Sequence, residues 1–345
     1  MLRGPGDLRV EDVPRPDPGP DQVLVRISHG GICGTDLKIY EGSIQVRYPI
    51  IMGHEMAGEI MQGGDDRLHD GDRVLIDPVL SCGNCFCCRA GLTNLCTKGG
   101  LLGRDADGGF AEYAVVPRSH VFPLPEAVDS CQAPLIQVLT TCVRAHRKID
   151  ILPGHAVAVV GLGVAGQLHV QLAKSRGADP VIGVTRSAWK RRLAERLGAD
   201  LTLPSGLEAI RGVLDATGNR GAEFVIESTG ALQGIADAIC MTQPGGTLLL
   251  FGITTAREGA LPFYQLYFKE LRIVNARAAL PEDFGPCINL VASGAVKLAP
   301  LITHVLPLAE ARTAIEMLKT ASEQRMKVIL DNSSTFAHTK VPAPA

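Results

Sequence analysis

Between Val23 and about Phe122, apolar residues come in short runs broken by Gly and Pro, such as Val23-Leu24-Val25-Arg26-Ile27 and Tyr113-Ala114-Val115-Val116. Runs of this kind predict a compact, mostly β domain with long loops. Near Ala133 the pattern changes. Ala- and Leu-rich helical stretches now alternate with continuously apolar runs at Ala156–Val160, Val181–Val184, Phe224–Ile226 and Thr247–Phe251. Short strands that are apolar on both faces and separated by helices predict a parallel sheet covered on both sides, hence an α/β fold. Beyond about Leu271 the alternation loosens. A last helix is expected near Leu308–Leu318, ahead of the strand-like Lys327-Val328-Ile329-Leu330. From Asn332 onward, the Ser, Thr, Pro and Ala content predicts disorder. There is no internal repeat.

At 345 residues the chain exceeds the usual size of one domain, and two are expected. A net charge of -2 offers no basic stripe for phosphate backbones, so a nucleic-acid partner is not expected. No apolar run is long enough to cross a bilayer. The opening Met1-Leu2-Arg3-Gly4-Pro5-Gly6 lacks the apolar centre of a signal peptide. A cytoplasmic address, away from membranes, is the default expectation. In a reducing compartment, the ten cysteines point to metal ligands, catalytic groups or core residues and away from a disulfide framework.

Four of them, Cys82, Cys85, Cys88 and Cys96, have two-residue gaps and a closing gap of seven. Four thiolates close a tetrahedral zinc shell and leave no room for substrate, so this site reads as structural. Gly83, Asn84, Gly91 and Asn94 suit the turns required, and the stretch is too polar for a core. A different set carries candidate chemistry: Cys33 in Gly31-Ile32-Cys33-Gly34-Thr35-Asp36, and His54 in Gly53-His54-Glu55. One thiolate, one imidazole and a further ligand, with a position left open, suit a zinc that polarises an alcohol oxygen.

Ala156–Val160 runs straight into Gly161-Leu162-Gly163-Val164-Ala165-Gly166, followed by a helix expected from Gln167. With a strand before, a helix after and a second strand about twenty residues on, this is a dinucleotide-binding turn. Its glycines allow close approach of a pyrophosphate seated on the helix N-terminus. The second strand ends Gly183-Val184-Thr185-Arg186-Ser187, with Thr185 at the place of a ribose-chelating acid. Without that carboxylate, Arg186 can pair with a 2′-phosphate, Thr185 and Ser187 offer hydroxyls, and Lys190 and Arg191 add positive charge. NADP is therefore expected over NAD.

In the order of these blocks, with Gly108-Gly109-Phe110-Ala111-Glu112-Tyr113 and Pro244-Gly245-Gly246-Thr247, the chain resembles the zinc-containing medium-chain alcohol and polyol dehydrogenases over nearly its whole length. The resemblance implies a GroES-like catalytic domain (residues 1–136 and 272–345, including the tail) and an inserted Rossmann domain (137–271). It implies a catalytic and a structural zinc, and a homodimer or homotetramer. It also implies hydride transfer between NADP, or NAD, and a secondary alcohol such as a polyol, sugar or amino-cyclitol. Cys33 and His54 would ligate the reactive zinc, Glu55 would bind it or exchange with water, Asp36 would fix the His54 tautomer, and Thr35 would relay the substrate proton. A zinc-free quinone or enoyl reductase would lack the Cys33/His54 pair and the four-cysteine lobe. A catalytically idle cofactor- and zinc-binding protein is the alternative.

The chain departs from this family at three places, the first strand, the Ala133–Gln137 block and Lys38, and resembles some of its sugar-acid and polyol members at Arg277. The strand that opens the family's fold is expected to be shortened here, since the chain starts close to Gly4-Pro5-Gly6. In Ala133-Pro134-Leu135-Ile136-Gln137, the position of a glutamate ligand is Ala133 and that of a cysteine ligand is Gln137, a weaker, neutral donor. Three completions are open: Gln137 coordinates, Glu55 fills the shell, or Cys131 reaches in. Glu55 with a contribution from Gln137 is the favoured one. Lys38 stands where relatives end the proton relay with His, and either takes that part or interrupts it. Arg277, ahead of Pro281-Glu282-Asp283-Phe284, is placed to contact cofactor or a substrate hydroxyl.

Overall fold

The computed structural model describes residues 1–319 and 324–333. By its contacts the chain divides into two compact units. The first comprises residues 1–138, 280–293 and 302 onward, and the second comprises 139–279 and 294–301.

The first unit contains strands β1 (Gln22–Ile32), β2 (Glu55–Gln62), β3 (Arg73–Ile76), β4 (Val79–Leu80), β5 (Gly100–Leu101), β6 (Tyr113–Pro117) and β7 (Val121–Pro123). After the second unit it is completed by β14 (Ile302–Pro307) and β15 (Lys327–Asp331). Its main sheet runs β14-β15-β1-β2-β3-β7, and β6 also pairs with β1. Strand β1 is the hub: it is buried along most of its eleven residues, and Val23, Val25 and Ile27 enter one core with Met56, Ile60 and Val74. Helices α1 (Gly34–Tyr40) and α2 (Phe86–Arg89) are short, and α1 adds Ile39 and Tyr40 to a second core with Ile315 and Val328.

Register, more than any single element, positions the chemistry here. Gly31 of β1 lies opposite Glu55 of β2, and Ile32 lies opposite Val328 of β15. Both neighbours run antiparallel to β1, so the end of β1, the start of β2 and the start of β15 meet at one corner of the sheet.

The second unit holds β8 (Val157–Val160), β9 (Val181–Val184), β10 (Leu201–Leu203), β11 (Ala222–Glu227), β12 (Thr242–Leu250) and β13 (Arg272–Asn275). They form one six-stranded sheet in the order β10-β9-β8-β11-β12-β13, every pair parallel. Crossovers are made by α4 (Val164–Ser175), α5 (Ala188–Arg196), α6 (Leu207–Ala216), α7 (Leu232–Met241) and α8 (Phe263–Phe268). The continuous apolar runs have a direct cause. Val157 and Val159 enter one core while Ala158 and Val160 enter another, so both sheet faces are covered. The strand order reverses at β8, which makes the turn after it the place where a doubly wound sheet takes its ligand.

Helices α3 (Pro134–His146), α9 (Phe284–Ala292) and α10 (Ala311–Glu316) complete the set. Three local expectations change. Helix α4 opens at Val164, three residues before Gln167, because Gly163 already takes the extended N-cap conformation. The stretch from Leu308 is a 3₁₀ turn to Glu310 followed by α10. Asn332 is ordered: it is buried, its amide N–H donates to Ser28 O, and its side-chain amide donates to Ala111 O at 2.9 Å. The rest of the expected disordered tail, from residue 334, lies outside the described residues. Among the described residues, no helix is long and apolar enough to cross a membrane.

Candidate metal and cofactor sites

Cys33, His54 and Glu55 converge at the sheet corner, one donor atom of each lying within 4.8 Å of the others. Cys33 closes β1 and is the N-cap of α1, where its backbone N–H donates to Asp36 Oδ2 at 2.8 Å. That bond turns the other oxygen, Oδ1, to within 3.2 Å of His54 Nδ1. The approach is close but lacks hydrogen-bond alignment, so it acts as an ion contact that orients the ring. Gly31 is required beside it, since a Cβ there would collide with the Glu55 side chain.

Glu55 has a partner that sequence reasoning missed. Its Oε2 accepts a 2.6 Å bond from Lys327 Nζ, and Lys327 also donates to Ile32 O at 3.1 Å. The Lys327 and Glu55 side chains are buried, at 3% and 1% exposure, whereas Glu55 Oε1 has no hydrogen-bond partner among the described residues. The corner therefore collects negative charge out of water. Burial opposes the charged form of His54, yet Asp36 and Cys33 outweigh it and lift the imidazole well above its usual pKa. Burial opposes charge on Lys327 too, but Glu55 and Cys33 raise its pKa. A half-buried thiol, a buried imidazole and a buried carboxylate with an unsatisfied oxygen, under surplus negative potential, fit a divalent, borderline-soft cation.

Thr35 and Lys38 lie on α1 and are half-buried. Gln137 is buried in the first turn of α3, just after the fully buried Ala133. Cys131 is half-buried, burial raises its thiol pKa, and it does not join the Cys33–His54–Glu55 group.

Cys82, Cys85, Cys88 and Cys96 also converge, with Cys85 Sγ 3.5 Å from Cys88 Sγ and 3.8 Å from Cys96 Sγ. Backbone N–H groups of Cys88 and Thr97 pull the Cys85 thiol down to about 5, while desolvation pushes Cys88 up to about 11. Without a cation only part of the set ionises. A bound ion would let all four do so, and four sulfurs fit zinc. Cys87 sits within this loop but is buried outside the group.

In the second unit, the Gly161–Gly166 turn joins β8 to α4. Gly166 packs so closely on Gly161 O that no side chain fits, which brings the helix against the turn. Gly163, the N-cap, meets nothing within 4 Å. The open face of the turn and the free amides of Val164 and Ala165 at the first turn of a twelve-residue helix fit a pyrophosphate. At the end of β9, Arg186 is exposed and its guanidinium has no partner among the described residues. Ser187 is the N-cap of α5 with its hydroxyl unused for capping, and Thr185 is half-buried. Arg191 is already engaged locally. Its Nη1 donates to Thr185 O at 2.9 Å and to Arg186 O at 3.1 Å, holding the loop. Lys190 Nζ lies 5.5 Å over the Trp189 ring. Arg277 is exposed after β13.

Residues 19–126 match the family described as alcohol dehydrogenase GroES-like domain, and 164–293 match that described as zinc-binding dehydrogenase. Sorbitol dehydrogenase of Halalkalibacterium halodurans is 31% identical over 95% of this chain and 96% of its own. The chain belongs to the zinc-binding medium-chain alcohol and polyol dehydrogenases. It is accordingly an oxidoreductase of the alcohol dehydrogenase class. L-threonine 3-dehydrogenase of Pyrococcus abyssi is 34% identical over 85% of this chain and 86% of its own. A zinc-binding dehydrogenase from Sinorhizobium meliloti 1021, solved bound to NADP, is 33% identical, with a TM-score of 0.89 over 96% of this chain and 97% of its own. In this dehydrogenase, Lys327 is the addition to the residues singled out by motif. The one signal of it in the sequence is a charged residue opening a strand whose next three positions are apolar.

Proposed function

We propose that this dehydrogenase oxidises a secondary alcohol of a polar substrate, a polyol, sugar or amino-cyclitol, with NADP as preferred acceptor. The observation that carries the reading is the Cys33–His54–Glu55 group, its imidazole and carboxylate buried, with its surplus of negative charge. Cys33, His54 and Glu55 would hold a zinc ion, with Gln137 contributing from the first turn of α3, and Cys82, Cys85, Cys88 and Cys96 would hold a second, structural zinc. When bound, the first ion supplies Lewis-acid polarisation of the substrate oxygen.

The residues of the chain do the rest. Asp36 orients His54 and stabilises its ligating tautomer. Thr35 relays the substrate hydroxyl proton, taking it on its oxygen as its own hydroxyl proton passes on to water, with Lys38 three residues further along α1. A bound nicotinamide would supply the hydride acceptor for the alcohol carbon, which becomes a carbonyl carbon. The turn at Gly161, Gly163, Val164, Ala165 and Gly166 would seat the pyrophosphate, and Arg186, whose guanidinium has no partner among the described residues, would receive a 2′-phosphate with Thr185, Ser187 and Lys190. Arg191 supports that site by bracing its loop, and Arg277 contacts cofactor or substrate from after β13. NADP bound to the S. meliloti relative supports the preference.

A homo-oligomer is favoured by one surface. Phe263, Tyr264, Tyr267 and Phe268 of α8 are 61–82% exposed, and among the described residues β13 ends the sheet with an open edge. An apolar surface beside an unpaired edge suits a second copy of the chain, whose identical edge pairs antiparallel across a twofold axis. The deciding experiment is a panel of polyols, sugars and secondary alcohols assayed with NADP and NAD by absorbance of the reduced nicotinamide, alongside zinc content. Two zinc ions per chain and NADP-linked turnover on a polar alcohol are expected. Protein with no turnover on the panel despite full zinc would overturn the reading.

A further inference from the structure

The carboxylate of Glu55 is committed on one side. Lys327 holds Oε2 at 2.6 Å from a position that is 3% exposed, and beside Cys33 and His54 Oε1 is left without a hydrogen-bond partner among the described residues. Lys327 reaches there because β15 pairs with β1 next to Ile32, whose carbonyl takes a second bond from the same ammonium. A buried ion pair of this kind is weak evidence for stability, since an apolar pair of similar size would serve as well. Its charge is what an apolar pair lacks. The corner holds three acidic groups (the Cys33 thiol, Asp36 and Glu55) around His54. A divalent ion with neutral His54 offsets two of those negative charges, and Lys327 offsets the third.

We propose that Lys327 is a positioning residue of the metal centre: it pins one oxygen of Glu55, leaves the other for the ion, and thereby sets how tightly the ion is held. This rests on the reading of Cys33, His54 and Glu55 as zinc ligands. The shell is then completed to a degree controlled from β15, 272 residues away in sequence from Glu55. Too strong a carboxylate ligand would blunt the ion as an electron-pair acceptor, and too weak a one would let it leave. A lysine, with a single point of contact, divides the carboxylate between the two cations.

Two substitutions push the centre in opposite directions. Lys327→Met frees both oxygens of Glu55 and leaves one uncompensated negative charge, so the ion should be lost to a chelator about tenfold or more slowly. Lys327→Arg keeps the charge but presents a planar fork that can engage both oxygens, so the ion should be lost about tenfold or more quickly. The readouts are the rate of zinc loss to a chelator and the visible spectrum of the cobalt(II)-substituted protein, which reports ligand number and symmetry. Lysine acting only as a structural brace would give two less stable proteins with ion-loss rates within about twofold of the parent, and that result overturns the proposal. Should Lys327→Met not fold, Lys327→Arg decides alone: faster loss supports the proposal and an unchanged rate overturns it. Equal zinc content in the parent and in Cys33→Ser would show instead that no ion sits at this corner, which sinks the ligand reading beneath the proposal.

Discussion

Nε2 of His146 lies 3.0 Å from Nδ1 of His169, and both rings are wholly out of solvent inside the second unit. The first closes α3 and the second sits in α4, which carries the dinucleotide turn at its start. The rings stack with centroids 5.2 Å apart, and His169 meets Phe251 edge-on at 4.5 Å. The outer nitrogens, Nδ1 of His146 and Nε2 of His169, have no hydrogen-bond partner among the described residues. Such a pair is stable only when neutral, because a proton would add a buried charge with no carboxylate facing it.

That arrangement predicts acid sensitivity. Burial pushes His169 down to about 3, and burial with the neighbouring His169 and Arg176 pushes His146 well below the usual value. Below an unfolded pKa near 6.5 the unfolded chain binds protons that the folded pair refuses. Stability is thus complete above about pH 6.5 and falls as pH drops, by up to about 1.4 kcal/mol per pH unit for each histidine. Thermal unfolding between pH 7.5 and 5 should show this loss. Replacing the pair with His146→Leu and His169→Phe should flatten the profile, and an equally steep profile would refute the assignment.

If both cysteine-containing groups hold zinc as proposed, they should differ in how readily they empty. Four thiolates outbind a set built on one thiolate, one imidazole and a carboxylate shared with Lys327. Mild chelation should remove one zinc per chain, abolish turnover and leave the fold intact. Cys88→Ser should instead lower the thermal midpoint. Loss of both ions at one rate would contradict the distinction.

Cofactor choice should follow Arg186. Removing a guanidinium that pairs with a 2′-phosphate costs about 1.5–3 kcal/mol, so Arg186→Ala should lower kcat/KM for NADP by about tenfold to a hundredfold while sparing NAD. Thr185→Asp should add repulsion of the phosphate and favour NAD. A parent enzyme with a tenfold preference for NAD would remove the basis of this prediction.

If α8 and β13 meet a second copy, a charge placed among the aromatics should separate the chains. Tyr267 is 82% exposed, so Tyr267→Glu costs the isolated chain little. Sedimentation should show an oligomer for the parent and a smaller species for the variant. Equal masses would place any interface elsewhere.

Much of this was legible from local spacing. The α/β class and parallel sheet followed from short apolar runs, because both faces of β8 are covered, by Val157 and Val159 on one side and Ala158 and Val160 on the other. The family followed from blocks read in order. The convergence of Cys82, Cys85, Cys88 and Cys96 was foreshadowed because all four fall within fifteen residues, where turns alone can gather them. The true opening of α4, three residues ahead of Gln167, was hidden because Gly163 as N-cap leaves no polar side chain to mark the start.

Long-range register was not legible. That Cys33, His54 and Glu55 share a corner depends on β1 pairing with β2 so that Gly31 faces Glu55. That Lys327 closes on Glu55 depends on β15 pairing with β1 on its other edge. Arg191 has the sequence position of a phosphate-binding cation and in the fold braces two carbonyls of its own loop. Nothing in the sequence around His146 and His169 distinguishes them from ordinary helical residues. The amino-acid order by itself determined which ligand types and which glycine turn the protein would carry, because their spacing is short and stereochemically restrictive. Only the tertiary structure decided which buried charges face one another, because that is set by strand pairing and helix packing between segments far apart in the chain.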